Sequence, residues 1–125
     1  MSDKKTDLLI SLTAHERDEN NVTIAFTMGV KALEKGHTPE ILLLSDAVHL
    51  AEKNYAKKID IGAPFEPIQT LMETYLKEGG KLHVCKSCMN HNGVREEDVL
   101  EGIKIITADY LVDAFMNAER SLQLN

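Results

Sequence analysis

The sequence predicts an α/β protein: a three-layer α/β/α sandwich around a mainly parallel sheet of four to five strands. Short apolar runs recur along the chain, and amphipathic helical patterns of roughly 10 to 15 residues lie between them, which is the signature of βαβ units. The length of 125 residues, with 43% hydrophobic and 27% charged side chains, suits one domain over residues 1–125 with a single core.

The first apolar run, Leu8-Leu9-Ile10-Ser11-Leu12, is nearly continuous, as expected of a strand covered on both faces. A polar stretch, 13–21, leads into a helix whose Val22, Ala25, Phe26, Gly29, Val30 and Leu33 form one stripe, with Gly36 as its left-handed end. Pro39 and Glu40 introduce a second strand, Ile41-Leu42-Leu43-Leu44. Segment 47–63 carries only a weak helical pattern, with Lys53, Lys57 and Lys58 on a solvated side and a break at Gly62-Ala63-Pro64. A helix follows with Ile68, Leu71, Met72, Tyr75 and Leu76 on one face, closed by Gly79-Gly80. A third strand, Leu82-His83-Val84-Cys85, runs into a loop at 89–93. A short helix is expected at 95–100, its acidic first turn matching the helix dipole and Gly102 closing it. Ile103-Lys104-Ile105-Ile106 is a fourth strand. Thr107 caps a last helix with Leu111, Ala114, Phe115 and Ala118 as its buried stripe, and 121–124 is a fifth, edge strand.

Fourteen basic against twenty acidic side chains leave a formal charge of −6 with no basic run, so neither nucleic acid nor an anionic membrane is an expected partner. No apolar run is long enough to span a bilayer, and the polar start Met-Ser-Asp-Lys-Lys-Thr-Asp leads into no signal-peptide core. A cytoplasmic location is the expectation. Neither a phosphate-binding nor a dinucleotide-binding glycine motif occurs, nor a serine nucleophile elbow, and no cofactor is predicted.

The chemistry gathers at Cys85-Lys86-Ser87-Cys88. In a reducing compartment this spacing reads as redox, sulfur or metal chemistry rather than a structural disulfide. Cys85 ends a strand and Cys88 falls in the turn or first helical turn after it, where backbone N–H groups and Lys86 favour a thiolate. Such a thiolate attacks a sulfur atom and holds it as a persulfide, and the second thiol resolves the product. The plainer reading makes Cys85 a small core residue and Cys88 a bystander. The run His83-x-Cys85-x-x-Cys88-x-x-His91 also offers four zinc ligands, but in a single knuckle where structural zinc sites take two. His83 reads better as a packed strand residue and His91 as an exposed one, so no metal is predicted.

Sites in parallel α/β sheets lie beyond the carboxyl ends of the strands. That places His15, Asp46, His49 and both cysteines on one expected rim, with His15 the preferred proton shuttle.

The order of elements and the run Gly80-Lys-Leu-His-Val-Cys85-Lys-Ser-Cys88-Met-Asn-His-Asn-Gly93-Val94 together resemble the DsrE/DsrF-like family of small sulfur-relay proteins. The likeness covers nearly the whole chain, including Ala32-Leu33-Glu34-Lys35-Gly36-His37 and Leu44-Ser45-Asp46-Ala47-Val48. It implies a DsrE-like domain in which Cys85 is the catalytic sulfur acceptor; Cys88 as the resolving thiol and His15 as the proton shuttle join it from the reading of the residues above. It further implies homo-oligomers, commonly trimers or hexamers, working with sulfur donor and acceptor proteins or small thiols. Two alternatives stand beside it: a thiol–disulfide redox protein using the CxxC, and a non-catalytic oligomeric binding module whose cysteines are structural or zinc-bound. The redox alternative ranks low because Pro39, Pro64 and Pro67 all precede the cysteines, whereas thioredoxin-like proteins place a proline after them.

Overall fold

Strands apolar on both sides need cover on both faces, and the chain supplies it with helices. The computed structural model describes residues 5–14 and 18–125. Its strands are β1 (Leu8–Leu12), β2 (Pro39–Leu43), β3 (Lys81–Cys85), β4 (Lys104–Ile106) and β5 (Arg120–Leu124). They form one sheet in the order β4-β3-β2-β1-β5, and every neighbouring pair is parallel. The helices are α1 (Glu19–Glu34), α2 (Ile68–Lys77), α3 (Lys86–Asn92) and α4 (Ala108–Asn117).

The period of two along each strand divides the sheet into unlike faces. Ile10, Leu12, Ile41, Leu43, Leu82 and Val84 join the main core with Val22, Ala25 and Phe26 of α1 and Ile68, Leu71, Met72 and Tyr75 of α2. On the other face Leu9, Leu42 and Ile106 form a much smaller cluster under Leu111 and Ala114 of α4 and Ala118, the residue that caps it. By alternation and register, that second face also carries Ser11, Glu40, His83 and Cys85, all buried. One side of the sheet is thus oily and thick; the other is polar and covered by one helix.

Several local expectations change. α4 has no fully buried residue, and Phe115, expected in its buried stripe, is 36% exposed, because α4 meets few apolar side chains on the polar face. The short helix expected at 95–100 shrinks to a 3₁₀ turn at Glu96–Asp98. The expected loop at 89–93 is instead the end of α3, closed by Gly93 in the left-handed region at φ 77°. The weakly patterned stretch after β2 forms 3₁₀ turns at Ser45–Ala51 and Ala56–Lys58, with Ala47, Val48, Leu50 and Ala51 buried.

Tyr75 locks α2 to the strands. Its ring is fully buried, and its hydroxyl donates to the carbonyls of Lys81 (2.7 Å) and Pro39 (3.2 Å) at the starts of β3 and β2. Two glycines make room for the ring. A Cβ on Gly29 would stand 2.8 Å from Tyr75 Cε1, and one on Gly80 would enter the ring's own envelope. Gly80→Ala is expected to lower the denaturant midpoint by an amount equivalent to about 1–3 kcal/mol, through overpacking against a ring that two hydrogen bonds hold in place. An unchanged midpoint in urea would show that the ring is free to move.

Candidate functional site

The two cysteines sit where β3 hands over to α3. Cys85 is the last strand residue and the N-cap of α3, 4% exposed, and its side chain makes no capping hydrogen bond. Cys88 lies one turn on and is half-buried, packed against the main core. Both are free, and the two thiols are within hydrogen-bonding reach of each other. Met89 and Val94, both buried, pin α3 to the core from behind.

Ser45, at the end of β2, is built around this pair. It adopts φ 53°, a left-handed conformation that costs a non-glycine residue of order 1–3 kcal/mol. From there its backbone hydrogen-bonds the Cys88 sulfur in the sense that favours a thiolate, while its carbonyl accepts from Asn92 Nδ2 at 3.4 Å. The same Asn92 nitrogen donates to the Cys88 carbonyl at 2.9 Å. Burial nonetheless pushes the Cys88 thiol above its ordinary range, and neighbouring Cys85 adds to that rise. This reverses the expected activation at Cys88: the thiol rests protonated near neutrality. A cleft of about 410 Å³ opens beside Ser45, lined also by Thr13, Ala14 and Asp46 after β1 and β2, by Asp18 at the start of α1 and by Asn125 after β5.

The expected rim forms only in part. Asp46 lines this cleft, next to Ser45. His49 hydrogen-bonds Glu52 at 3.0 Å and stacks on Tyr55, contacts that hold the 3₁₀ segment together. Lys86 does not serve the thiols; its Nζ lies 3.5 Å from Glu96 on an exposed surface. His91 is exposed, as expected. His15 lies outside the described residues. Among the described residues no group of three or more His, Cys, Asp or Glu side chains is placed to hold a metal ion, so the zinc alternative finds no ligand set there.

A second polar assembly, which sequence reasoning missed, lies on the same sheet face. Glu40 is 2% exposed, and its Oε2 accepts from His83 Nδ1 (2.9 Å) and the Tyr110 hydroxyl (2.8 Å), its Oε1 from Thr6 (2.7 Å). Lys81 Nζ donates to Thr6 Oγ1 at 3.0 Å. The His83 ring, 7% exposed, meets Tyr110 edge-on with centroids 5.2 Å apart. Burial by itself raises the Glu40 carboxyl, but the hydrogen bonds from His83, Thr6 and Tyr110 and the charge of His83 outweigh it, holding the group at about 2 against an ordinary 4.5. The only sequence signal was a carboxylate inside an apolar strand and a histidine inside another; their pairing spans 43 positions.

Comparison with known proteins agrees with this architecture. A family profile described as "DsrE/DsrF-like family" matches residues 7–124. The crystal structure of YchN from E. coli superposes with a TM-score of 0.76 at 17% identity, covering 96% of this chain and 99% of that one. The protein of unknown function MTH1491 from Methanobacterium thermoautotrophicum gives 0.69 at 12% identity, covering 95% of this chain and 99% of that one. In sequence, the uncharacterized protein MK0008 of Methanopyrus kandleri is 28% identical over 89 residues, 71% of this chain and 69% of its own length. At these identities the structural likeness shows the fold alone.

The buried carboxylate gives the stability curve a defined acid limb. A group whose folded value is depressed stabilises above its unfolded value and loses that contribution as pH falls through the folded one. The displacement of Glu40 from 4.5 to about 2 is worth on the order of 3 kcal/mol, lost between those two pH values. Thermal melts from pH 6 down to pH 2 are expected to show this limb, and Glu40→Gln is expected to flatten it while starting lower. Parallel curves for the two proteins would show that Glu40 is not the group responsible.

Proposed function

The chain belongs to the DsrE/DsrF-like family, whose members are generally sulfur-relay proteins, and on that premise we propose that it carries sulfane sulfur as a persulfide on Cys85 and passes it to a partner protein or small thiol. The observation that carries this reading is the free pair of neighbouring thiols at the junction of β3 and α3, beside the cleft at Ser45. A Cys85 thiolate attacks the outer sulfur of a donor persulfide R–S–SH; the donor's S–S bond breaks, R–S⁻ leaves, and Cys85 keeps the transferred sulfur. An acceptor thiolate then takes that sulfur and releases the Cys85 thiolate. Alternatively Cys88 attacks the Cys85 sulfur and expels hydrosulfide, leaving a Cys85–Cys88 disulfide. The raised Cys88 thiol leaves Cys85 to take the incoming sulfur, and Cys88 must give up its proton before it attacks in this second step.

The same thiol contact supports a second reading, reversible dithiol–disulfide exchange. The two differ in whether external sulfur stays on the protein.

The family resemblance also implies self-assembly, and the outer side of α4 supports it. Val112 is 61% and Met116 78% exposed, with Phe115 beside them. A homo-oligomer, trimeric or hexameric, would cover this apolar strip. No described helix is long and apolar enough to cross a membrane.

Intact mass after exposure to a polysulfide donor is expected to rise by one sulfur atom in the reduced wild type and in Cys88→Ser, and not in Cys85→Ser. Uptake that survives in Cys85→Ser, or none in a wild type whose thiols alkylate normally, would overturn the assignment. Loss of mass by two hydrogens without added sulfur would favour the redox reading. Light scattering coupled to size exclusion is expected to give a multiple of the 14.0 kDa protomer, with Met116→Asp reverting to one protomer at unchanged circular dichroism. A monomeric wild type would remove the assembly.

A further inference from the structure

The relay reading leaves one buried titratable group unused, and the sheet register places it beside the reacting thiol. On the polar face, the last two inward positions of β3 are His83 and Cys85. Same-face neighbours on one strand stand about 6.5 Å apart, a gap that an imidazole and a thiol close directly or through one water. Glu40 is registered against Lys81, one inward position before His83, so Nδ1 is held toward β2 and the start of β3. The opposite edge of the ring, Cδ2 and Nε2, is turned away from that carboxylate.

The carboxylate also decides which nitrogen carries the proton. A charged Glu40 accepts only, so Nδ1 must donate, and in the neutral ring Nε2 is left with a bare lone pair. No described residue hydrogen-bonds that Nε2, although the ring is 7% exposed. A buried, fixed and unpartnered base of this kind is costly to keep for packing alone.

We infer that His83, held in one tautomer by Glu40, is the group that takes the Cys85 proton when the thiol becomes a nucleophile and returns it to the departing donor thiolate. This deepens the relay reading and rests on Cys85 being the reacting thiol. In the step, the Cys85 S–H bond breaks toward Nε2 and the Cys85 sulfur bonds the sulfane sulfur. The donor S–S bond breaks, and the proton passes from Nε2 to R–S⁻. No net oxidation occurs. The charged and titratable groups facing His83 are Glu40 from β2, Lys81 and Cys85 from its own strand, Lys104 from its registered position on β4, and Tyr110 from α4. Lys5 and Asp113 stand at the rim of a cleft of about 190 Å³ that also reaches Glu40 and Tyr110.

The test uses no sulfur donor, so it succeeds or fails independently of the relay. In Cys88→Ser, the thiolate absorbance of Cys85 is titrated with and without His83→Gln; removing the ring is expected to raise the thiolate midpoint by about one pH unit or more. The same coupling must appear from the other side. The His83 ring titration, followed by nitrogen-15 NMR in protein that keeps its histidine, is expected to start from the Nδ1–H tautomer and to shift in Cys85→Ser. Unchanged midpoints in both directions, or a neutral Nε2–H tautomer, would overturn the role. The NMR arm holds even if His83→Gln does not fold. With a polysulfide donor, His83→Gln is further expected to slow sulfur uptake about 10²-fold at neutral pH without abolishing it. An unchanged uptake rate would overturn the proton role and leave the relay standing.

Discussion

A carboxylate buried in the middle of a parallel sheet sets the terms for half of this molecule. Glu40 is charged and almost fully enclosed, so every contact it makes is an obligation. Thr6 must approach from the N-terminal side, His83 must present Nδ1 from the next strand, and α4 must lie close enough for Tyr110 to donate. Removing one of those donors leaves a buried charge with less compensation. The second face of the sheet is therefore organised around a polar centre instead of an oily one, and it is on this face that Cys85 emerges.

That division explains why the two helical layers are unequal. α1 and α2 bury continuous stripes against the main core, while α4 rests on a small apolar cluster and on the contacts of Tyr110 with Glu40 and His83. The thiol pair lies at the boundary between the two regimes. Cys85 belongs by register to the polar face, whereas Cys88 packs toward the main core and receives the Ser45 backbone. Two sulfurs three positions apart thus occupy different environments.

What the sequence made legible was local. Apolar runs located all five strands, helical periodicity found α1 and α2, and the positive φ angles of Gly36, Gly79, Gly93 and Gly102 fall at the expected breaks. The strand-end position of Cys85 and the exposure of His91 were equally readable. What escaped depends on distant partners. Nothing near Glu40 announces that His83 and Tyr110 will satisfy it, and Ser45 gives no sign of its left-handed backbone, whose partner Asn92 lies 47 positions on. Lys86 was read from its neighbours in sequence, whereas its charge answers Glu96 across the α3 turn. Phe115 fell on a helical stripe, but a stripe is buried only where the opposing sheet is apolar.

The Tyr75 ring and its two glycine neighbours have a bearing on how such a chain varies. The ring fills space that Gly29 and Gly80 leave empty, so the three positions share one volume. A smaller side chain at 75 opens a void that Ala at 29 or 80 can partly fill, and a larger one at either glycine is tolerated only after the ring has gone. Substitutions at these sites are therefore non-additive, and their order matters: shrinking the ring first opens a route that enlarging a glycine first closes. Across relatives with this fold, residues 29, 75 and 80 are expected to change together or not at all.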